Sequence, residues 1–320
     1  MPTIAVFPGQ GAQTPGMGRA LAESFAEARA VFAEVDEALG EPLSRVIFEG
    51  PAEELTLTRN AQPALMATSL AAVRALEAAT GRPLAEQVSW VAGHSLGEYS
   101  ALAAAGALSL ADAARLLRLR GEAMQEAVPV GEGAMAAILG LDPETVEAIA
   151  RRAAGEEVCE LANDNADGQA VVSGHRTAVE RAVALARERG ARRAMMLAVS
   201  APFHCSLMAP AAARLAEGLA TVTVRRPAVP VIANVTAAPE QDPEVIVDLL
   251  VRQVTARVRW RETMARMTAL GVDRLVEFGA GRVLTGLAKR AVPGAALFNL
   301  QGPEDVARVA ETLRATEGDP

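Results

Sequence analysis

A short apolar-rich run, residues 88–92, feeds directly into Gly93-His94-Ser95-Leu96-Gly97, and small residues dominate the stretch 98–105 that follows. The run is of strand length, the glycines permit a sharp reversal, and the Ala-rich stretch favours helix. Strand, tight turn and helix in that order form the unit of a parallel α/β sheet. Gly-x-Ser-x-Gly in that setting pushes the serine hydroxyl out at the apex of the turn, as a nucleophile requires. Free N–H groups at the start of the helix suit a developing oxyanion. Without the strand and helix, the same five positions describe only an ordinary tight turn. The apex residue here is Ser95.

The same rhythm continues on both sides. Residues 3–7 read as a first strand ending in Pro8-Gly9-Gln10-Gly11, and helices are expected over 18–39 and 63–80. Further on come a strand at 229–235, a helical stretch over 243–270 with a break near Val258, a strand at 274–278, a turn at Gly279 and Gly281, and a helix over 284–291. Between these halves the pattern changes. A strand at 134–141 leads into a helix opened by Asp142 as N-cap and Pro143 at its first position. A hairpin of 158–162 and 169–173 around the loop 163–168, a helix over 177–189 and a strand at 193–199 complete βαββαβ, the ferredoxin-like order. The expected fold is therefore α/β: a large parallel-sheet, hydrolase-like domain (1–128 and 200–320) with an inserted ferredoxin-like subdomain (129–199).

Composition narrows the function. A net charge of −8 opposes nucleic-acid binding, which needs a basic surface. Cys159 and Cys205 are far apart and outside any CxxC spacing, so neither a disulfide framework nor a zinc site is expected. No basic, apolar leader opens the chain, and the charge-free interval between Glu98 and Asp112 is too short to span a bilayer. A soluble, cytoplasmic protein is expected.

A nucleophilic serine needs a base. Of three histidines, His94 adjoins Ser95 and points elsewhere, and His175 reads as a helix cap or surface residue. His204, in Ser200-Ala201-Pro202-Phe203-His204, lies where the chain returns from the small subdomain and is the best candidate. Cys205 has no nameable activator and reads as packing. Gly9-Gln10-Gly11 is no dinucleotide fingerprint, because Thr14 occupies the third glycine position. Its amides can instead complete an oxyanion hole. Of Arg115, Arg118 and Arg120 on one helix, Arg120 precedes Gly121 near the boundary of the two domains.

Together the stretches Phe7-Pro8-Gly9-Gln10-Gly11-Ala12-Gln13, Gly93-His94-Ser95-Leu96-Gly97-Glu98-Tyr99, Arg120-Gly121 with Met124-Gln125, Pro202-Phe203-His204-Cys205 and Val251-Arg252-Gln253-Val254 resemble the malonyl-CoA:acyl carrier protein transacylases of type II fatty acid synthesis. The resemblance runs through the whole chain in order. It implies Ser95 as nucleophile, His204 as general base, Gln10 and Leu96 as backbone oxyanion donors, and Arg120 as the partner of a malonyl carboxylate. It also implies that the main-chain carbonyl of Gln253 orients the histidine in place of an acid, and that Met124 and Phe203 shape the acyl site. Malonyl-CoA and an acyl carrier protein are the implied partners. The phosphopantetheine belongs to the carrier, no cofactor or metal is implied, and the working unit is a monomer.

An acidic carrier calls for a basic patch; Arg151 with Arg152, residues 189–193, and Lys289 with Arg290 are the candidates, though each reads first as a solvated element end. A serine esterase or thioesterase is the rival from another reaction class. It is disfavoured because no acidic residue between Ser95 and His204 stands out as orienter. Related transacylases of polyketide or malonate decarboxylase pathways share the acyl-enzyme chemistry, and a non-catalytic scaffold would leave the motif residues idle.

Overall fold

Thr3–Phe7 (β1) and Trp90–Gly93 (β2) are short strands whose residues are almost all buried, the pattern of a parallel sheet covered by helices on both faces. The computed structural model describes residues 2–314; Met1 and 315–320, which fall within the expected bounds of the large domain, lie outside the described residues. The remaining strands are Gly133–Leu139 (β3), Cys159–Ala166 (β4), Gln169–His175 (β5), Arg193–Met196 (β6), Val231–Ile232 (β7), Pro239–Glu240 (β8), Arg274–Phe278 (β9) and Ala296–Leu300 (β10). They form a six-stranded sheet in the order β10-β9-β1-β2-β7-β8 and a four-stranded sheet in the order β4-β5-β3-β6. In the first sheet every pairing is parallel except β7 with β8; in the second every pairing is antiparallel. This is the expected α/β fold with its ferredoxin-like insertion.

Three of the four apolar clusters among the described residues carry most of the packing. One face of the large sheet (Phe7, Val91, Phe278) packs on the helices Ala26–Leu39, Thr58–Thr80, Gly97–Ala104 and Leu110–Glu126. The other face (Ile4, Val6, Leu275) packs on Trp260, Met264 and Leu284. The small sheet has its own core, in which Ala136, Ile138 and Val172 meet Val146 and Val179 of its two helices. Asp142 caps the first of these, its Oδ1 accepting from Thr145 N at 2.7 Å, with Pro143 at the first helical position.

Several boundaries differ from the sequence expectation, each for a physical reason. The helix 18–39 is two helices, Arg19–Ser24 and Ala26–Leu39, because Phe25 adopts extended backbone and packs against the main core. The helix expected from 63 begins at Thr58 and carries Pro63 inside it. The hairpin turn is only Asp167-Gly168, and both strands are longer than expected; irregularities between Leu161 and Asn163 and between Asp164 and Ala166 bend β4. The stretch 243–270 does break near Val258, as expected, dividing into Pro243–Gln253 and Trp260–Ala269. Val258 in the gap is drawn into the small subdomain: its N donates to Ala162 O at 2.8 Å and its O accepts from Asp164 N at 3.0 Å. Sheet pairing here overrides helix propensity. The last strand of the small sheet stops at Met196 instead of 199, and the strand expected at 229–235 is the two-residue β7.

Candidate active site

The turn after β2 stands at the carboxyl edge of the large sheet, beside the end of β1, where Phe7 pairs with Gly93. Ser95 has a φ of 54°, left-handed backbone that a non-glycine residue adopts at a cost of about 1–2 kcal/mol. The flanking glycines are what make it possible. A Cβ on Gly93 would stand 1.9 Å from the Gly97 carbonyl, and one on Gly97 would stand 2.2 Å from Phe7 O. No side chain fits at either position, so the strand can double back into the helix and thrust Ser95 into the cleft.

His204 reaches the serine from the segment after the small subdomain. Its φ is 59°, its ring is buried, and Nε2 lies 2.8 Å from Ser95 Oγ. On the other side Nδ1 lies 2.9 Å from Gln253 O. A carbonyl only accepts, so Nδ1 carries the proton and the Nε2 lone pair faces the serine hydroxyl. Gln253 ends its helix, where carbonyls lack intrahelical partners, so the break in the 243–270 stretch supplies the acceptor. Burial, with the Arg120 charge acting in the same direction, pushes the imidazole down to about 3, while the Gln253 bond opposes this. The histidine is thus held neutral, as a general base must be before it acts.

Arg120 is 2% exposed and lies across the serine. Nη1 donates to Gln62 Oε1 at 2.7 Å; Nη2 donates to Gln253 Oε1 at 2.9 Å and to Ser95 Oγ at 3.0 Å. Among the described residues its acceptors are all uncharged. Its neighbours on the helix differ: Arg115 pairs with Asp112 at the surface, and Arg118 is held by Asn60 and Glu41. Three residues that the sequence did not single out complete the network. Asn234, just past β7, accepts from Ser95 N at 2.7 Å through Oδ1 and donates to Gly93 O at 2.7 Å. Glu98 Oε2 accepts from Gln253 Nε2 at 2.7 Å and from Asn234 N at 3.1 Å. Gln62 is the third. Glu98 stands inside the serine motif, which was the one available signal; the two amides carried none.

Ser95 N is thus engaged, whereas among the described residues neither Gln10 N nor Leu96 N has an acceptor within the protein. Both residues line the cleft with Met124 and Phe203, which close it on the apolar side. The cavity is about 190 Å³, smaller than the usual span of sites for drug-sized ligands, and suits a short acyl group. His94 turns away from the serine, its Nε2 2.8 Å from Asn165 Oδ1 and its ring against Trp260. His175 stands at the N-cap of its helix, as one expectation had it, but its side chain makes no cap bond; Nδ1 instead accepts from Val158 N at 2.9 Å. Cys205 is buried, and burial raises its thiol to about 11. The arginines at 151, 152, 189, 192 and 193, with Lys289 and Arg290, are all exposed and away from this network. Among the described residues no group of three or more His, Cys, Asp or Glu is arranged to hold a metal ion, and no helix is long and apolar enough to cross a membrane.

A hydroxyl, a neutral base and two free amides around one small cleft are suited to acyl transfer through a serine ester. That class is the one the chain matches, aligning with the acyl transferase domain family over residues 4–308. It is 46% identical over 306 residues to the malonyl CoA-acyl carrier protein transacylase of Escherichia coli K12, covering 96% of this chain and 98% of that protein. The crystal structure of acyl-carrier-protein-S-malonyltransferase from Bartonella henselae superposes with a TM-score of 0.96 at 55% identity, over 98% of this chain and all of that one. A malonyl-transacylase solved with its type II polyketide acyl-carrier protein gives 0.93 at 43% identity, over 98% of this chain and 100% of that chain. The chain belongs to the malonyl CoA-acyl carrier protein transacylase family.

Proposed function

We propose that this enzyme moves a malonyl group from malonyl-CoA, through an ester on Ser95, to the phosphopantetheine thiol of an acyl carrier protein in fatty acid synthesis. The observation that carries the choice of acyl group is the buried Arg120 guanidinium, which has only neutral acceptors and lies 3.0 Å from the reacting hydroxyl. A buried cation whose hydrogen-bond acceptors among the described residues are all neutral is costly, and a carboxylate two carbons from the thioester carbonyl supplies a directly bonded anion in a bidentate geometry that lysine cannot reproduce.

The steps follow from the geometry. Malonyl carboxylate engages Arg120 and frees the Ser95 lone pair to which Nη2 donates. His204 Nε2 takes the serine proton as Oγ attacks the thioester, and the Gln10 and Leu96 amides hold the oxyanion. The C–S bond then breaks, and coenzyme A leaves with the proton from His204. In the second half His204 deprotonates the carrier thiol, which attacks the ester and regenerates the Ser95 hydroxyl. Nucleophile, base, oxyanion donors and carboxylate holder all belong to one chain, so the reaction needs no second copy, which supports a monomeric enzyme. The exposed arginines near 151, 189–193 and 290 are the proposed docking points for an acidic carrier.

A polyketide carrier is the second reading, favoured by the 43%-identical transacylase solved on such a carrier. Intact-mass measurement after mixing with malonyl-CoA tests the first half-reaction. A malonyl adduct is expected on the wild type, and its survival in Ser95→Ala would refute the ester.

A further inference from the structure

The steps above leave Glu98 without a role, yet it is 2% exposed and sits at the centre of the network. Its two hydrogen-bond donors, Gln253 and Asn234, are the residues that hold everything else. Gln253 gives its carbonyl to His204, its Oε1 to Arg120, and its Nε2 to Ser95 O at 3.1 Å as well as to Glu98. Asn234 fixes Ser95 N and Gly93 O. Because the acceptors of Arg120 are neutral, Glu98, one side-chain amide away, is the anion that balances it. The titratable groups around Glu98 are Arg120 from the Leu110–Glu126 helix, Tyr99 on its own helix, and His204 beyond Gln253. The segments bearing Asn234 and Gln253 present those uncharged amides. Burial lifts the Glu98 carboxyl to about 7, while the bonds from Asn234 and Gln253 and, after them, the Arg120 charge draw it down.

We propose that Glu98, acting through the Gln253 amide, is the resident counter-charge of Arg120, and that it takes up a proton when an acyl group with its own carboxylate occupies that arginine. The proposal rests on the reading of Arg120 as the malonyl carboxylate holder. Glu98 does not bond to Ser95 Oγ, so it is a positioning and charge-balancing residue. Two carboxylates cannot share one buried guanidinium without repulsion, and protonating the resident one removes it. Ester formation itself is proton-neutral near pH 7, since the serine proton departs on the coenzyme A thiol. Proton uptake from solvent therefore reports the counter-charge. An acetyl group lacks the second carboxylate and triggers none.

The test is stopped-flow mixing of enzyme with malonyl-CoA or acetyl-CoA in weak buffer containing a pH indicator at pH 7.5, with the adduct quantified by mass. The wild type is expected to take up roughly 0.5–0.8 proton per malonyl adduct and none per acetyl adduct. Both bonds to Glu98 fall on one oxygen, so Glu98→Gln keeps an acceptor for them; it is expected to take up none with either donor. Above pH 7 the KM for malonyl-CoA is expected to rise up to about tenfold per unit in the wild type and to stay flat in Glu98→Gln. A malonyl adduct formed without proton uptake, or uptake undiminished in Glu98→Gln, overturns the inference alone. Absence of any malonyl adduct on the wild type overturns the function on which it rests as well. The comparison of donors on the wild type decides the matter even if the variant does not fold.

Discussion

Replacing Arg120 with alanine separates recognition of the acyl group from the chemistry at the serine. The substitution removes both nitrogens that face the cleft and deprives Gln62 Oε1 and Gln253 Oε1 of their donor. Truncating one partner of a buried, hydrogen-bonded charge pair costs about 2–5 kcal/mol. At about 1.36 kcal/mol per tenfold, this is a fall of roughly 30-fold to roughly 5,000-fold in kcat/KM for malonyl-CoA. An acetyl donor makes no use of the guanidinium charge. Its loss should be limited to the hydrogen bond on Ser95 Oγ and looser placement of Gln253, about 1 kcal/mol or less than tenfold. Removing the arginine also relieves a cause of the low His204 basicity, which works in favour of the acetyl reaction. The assay is the initial rate of acyl transfer to carrier thiol with each donor, run below the melting transition of the variant. Equal losses with both donors would refute the carboxylate role. Arg120→Lys keeps the charge without the planar fork and should fall between wild type and alanine for malonyl-CoA.

The pH dependence of stability follows from two buried groups with opposite signs. His204 falls from 6.5 to about 3 on folding, so its contribution is complete above 6.5 and is lost as pH drops toward 3. Glu98 rises from 4.5 to about 7, so its contribution is complete below 4.5 and is lost as pH climbs toward 7. The two cancel over the shared window, and Glu98→Gln should expose the histidine alone. Its stability is then expected to rise with pH there, relative to wild type, by up to about 1.4 kcal/mol per unit, read from urea midpoints; parallel curves for the two proteins would contradict this. Gly97→Ala should lower the melting temperature and abolish adduct formation, because its Cβ would meet Phe7 O at 2.2 Å. Gly286→Ala, in an exposed helical position with nothing within 4 Å, should instead stabilise by about 0.5–1 kcal/mol; a destabilised Gly286→Ala would break the contrast.

The residues legible in the sequence were those whose local pattern already fixes geometry. Ser95 stands between two glycines that no other residue can replace, and the Asp142-Pro143 cap and the alternation of elements from 133 to 196 made the small subdomain readable. Gln253 was reached only through resemblance, and Arg120 was set apart by its place before Gly121 but took its role from resemblance, since neither an amide at a helix end nor an arginine on a helix signals burial. Gln62 and Asn234 left no trace, because a neutral amide in the interior breaks no periodicity until its partners from distant segments are known. The break near Val258 was legible, but its cause was not, for the same reason: Val258 leaves helical geometry to satisfy β4, roughly ninety residues earlier in the chain. The edge strand β10 went unread, its residues exposed or only partly buried save for Leu300.

The left-handed backbone at both Ser95 and His204 has a consequence for the chain during its synthesis. Neither conformation is favourable by itself, and each persists only where its surroundings enforce it. The supports arrive late: Asn234 is made about 140 residues after Ser95, and the helix end that anchors the imidazole is later still. A nascent polypeptide that has exposed its serine motif but not residue 253 lacks a tethered base and an oriented hydroxyl. Such a chain should be inert toward the cell's thioesters, and the Ser95 hydroxyl is expected to gain its base and its orientation only once residue 253 has emerged.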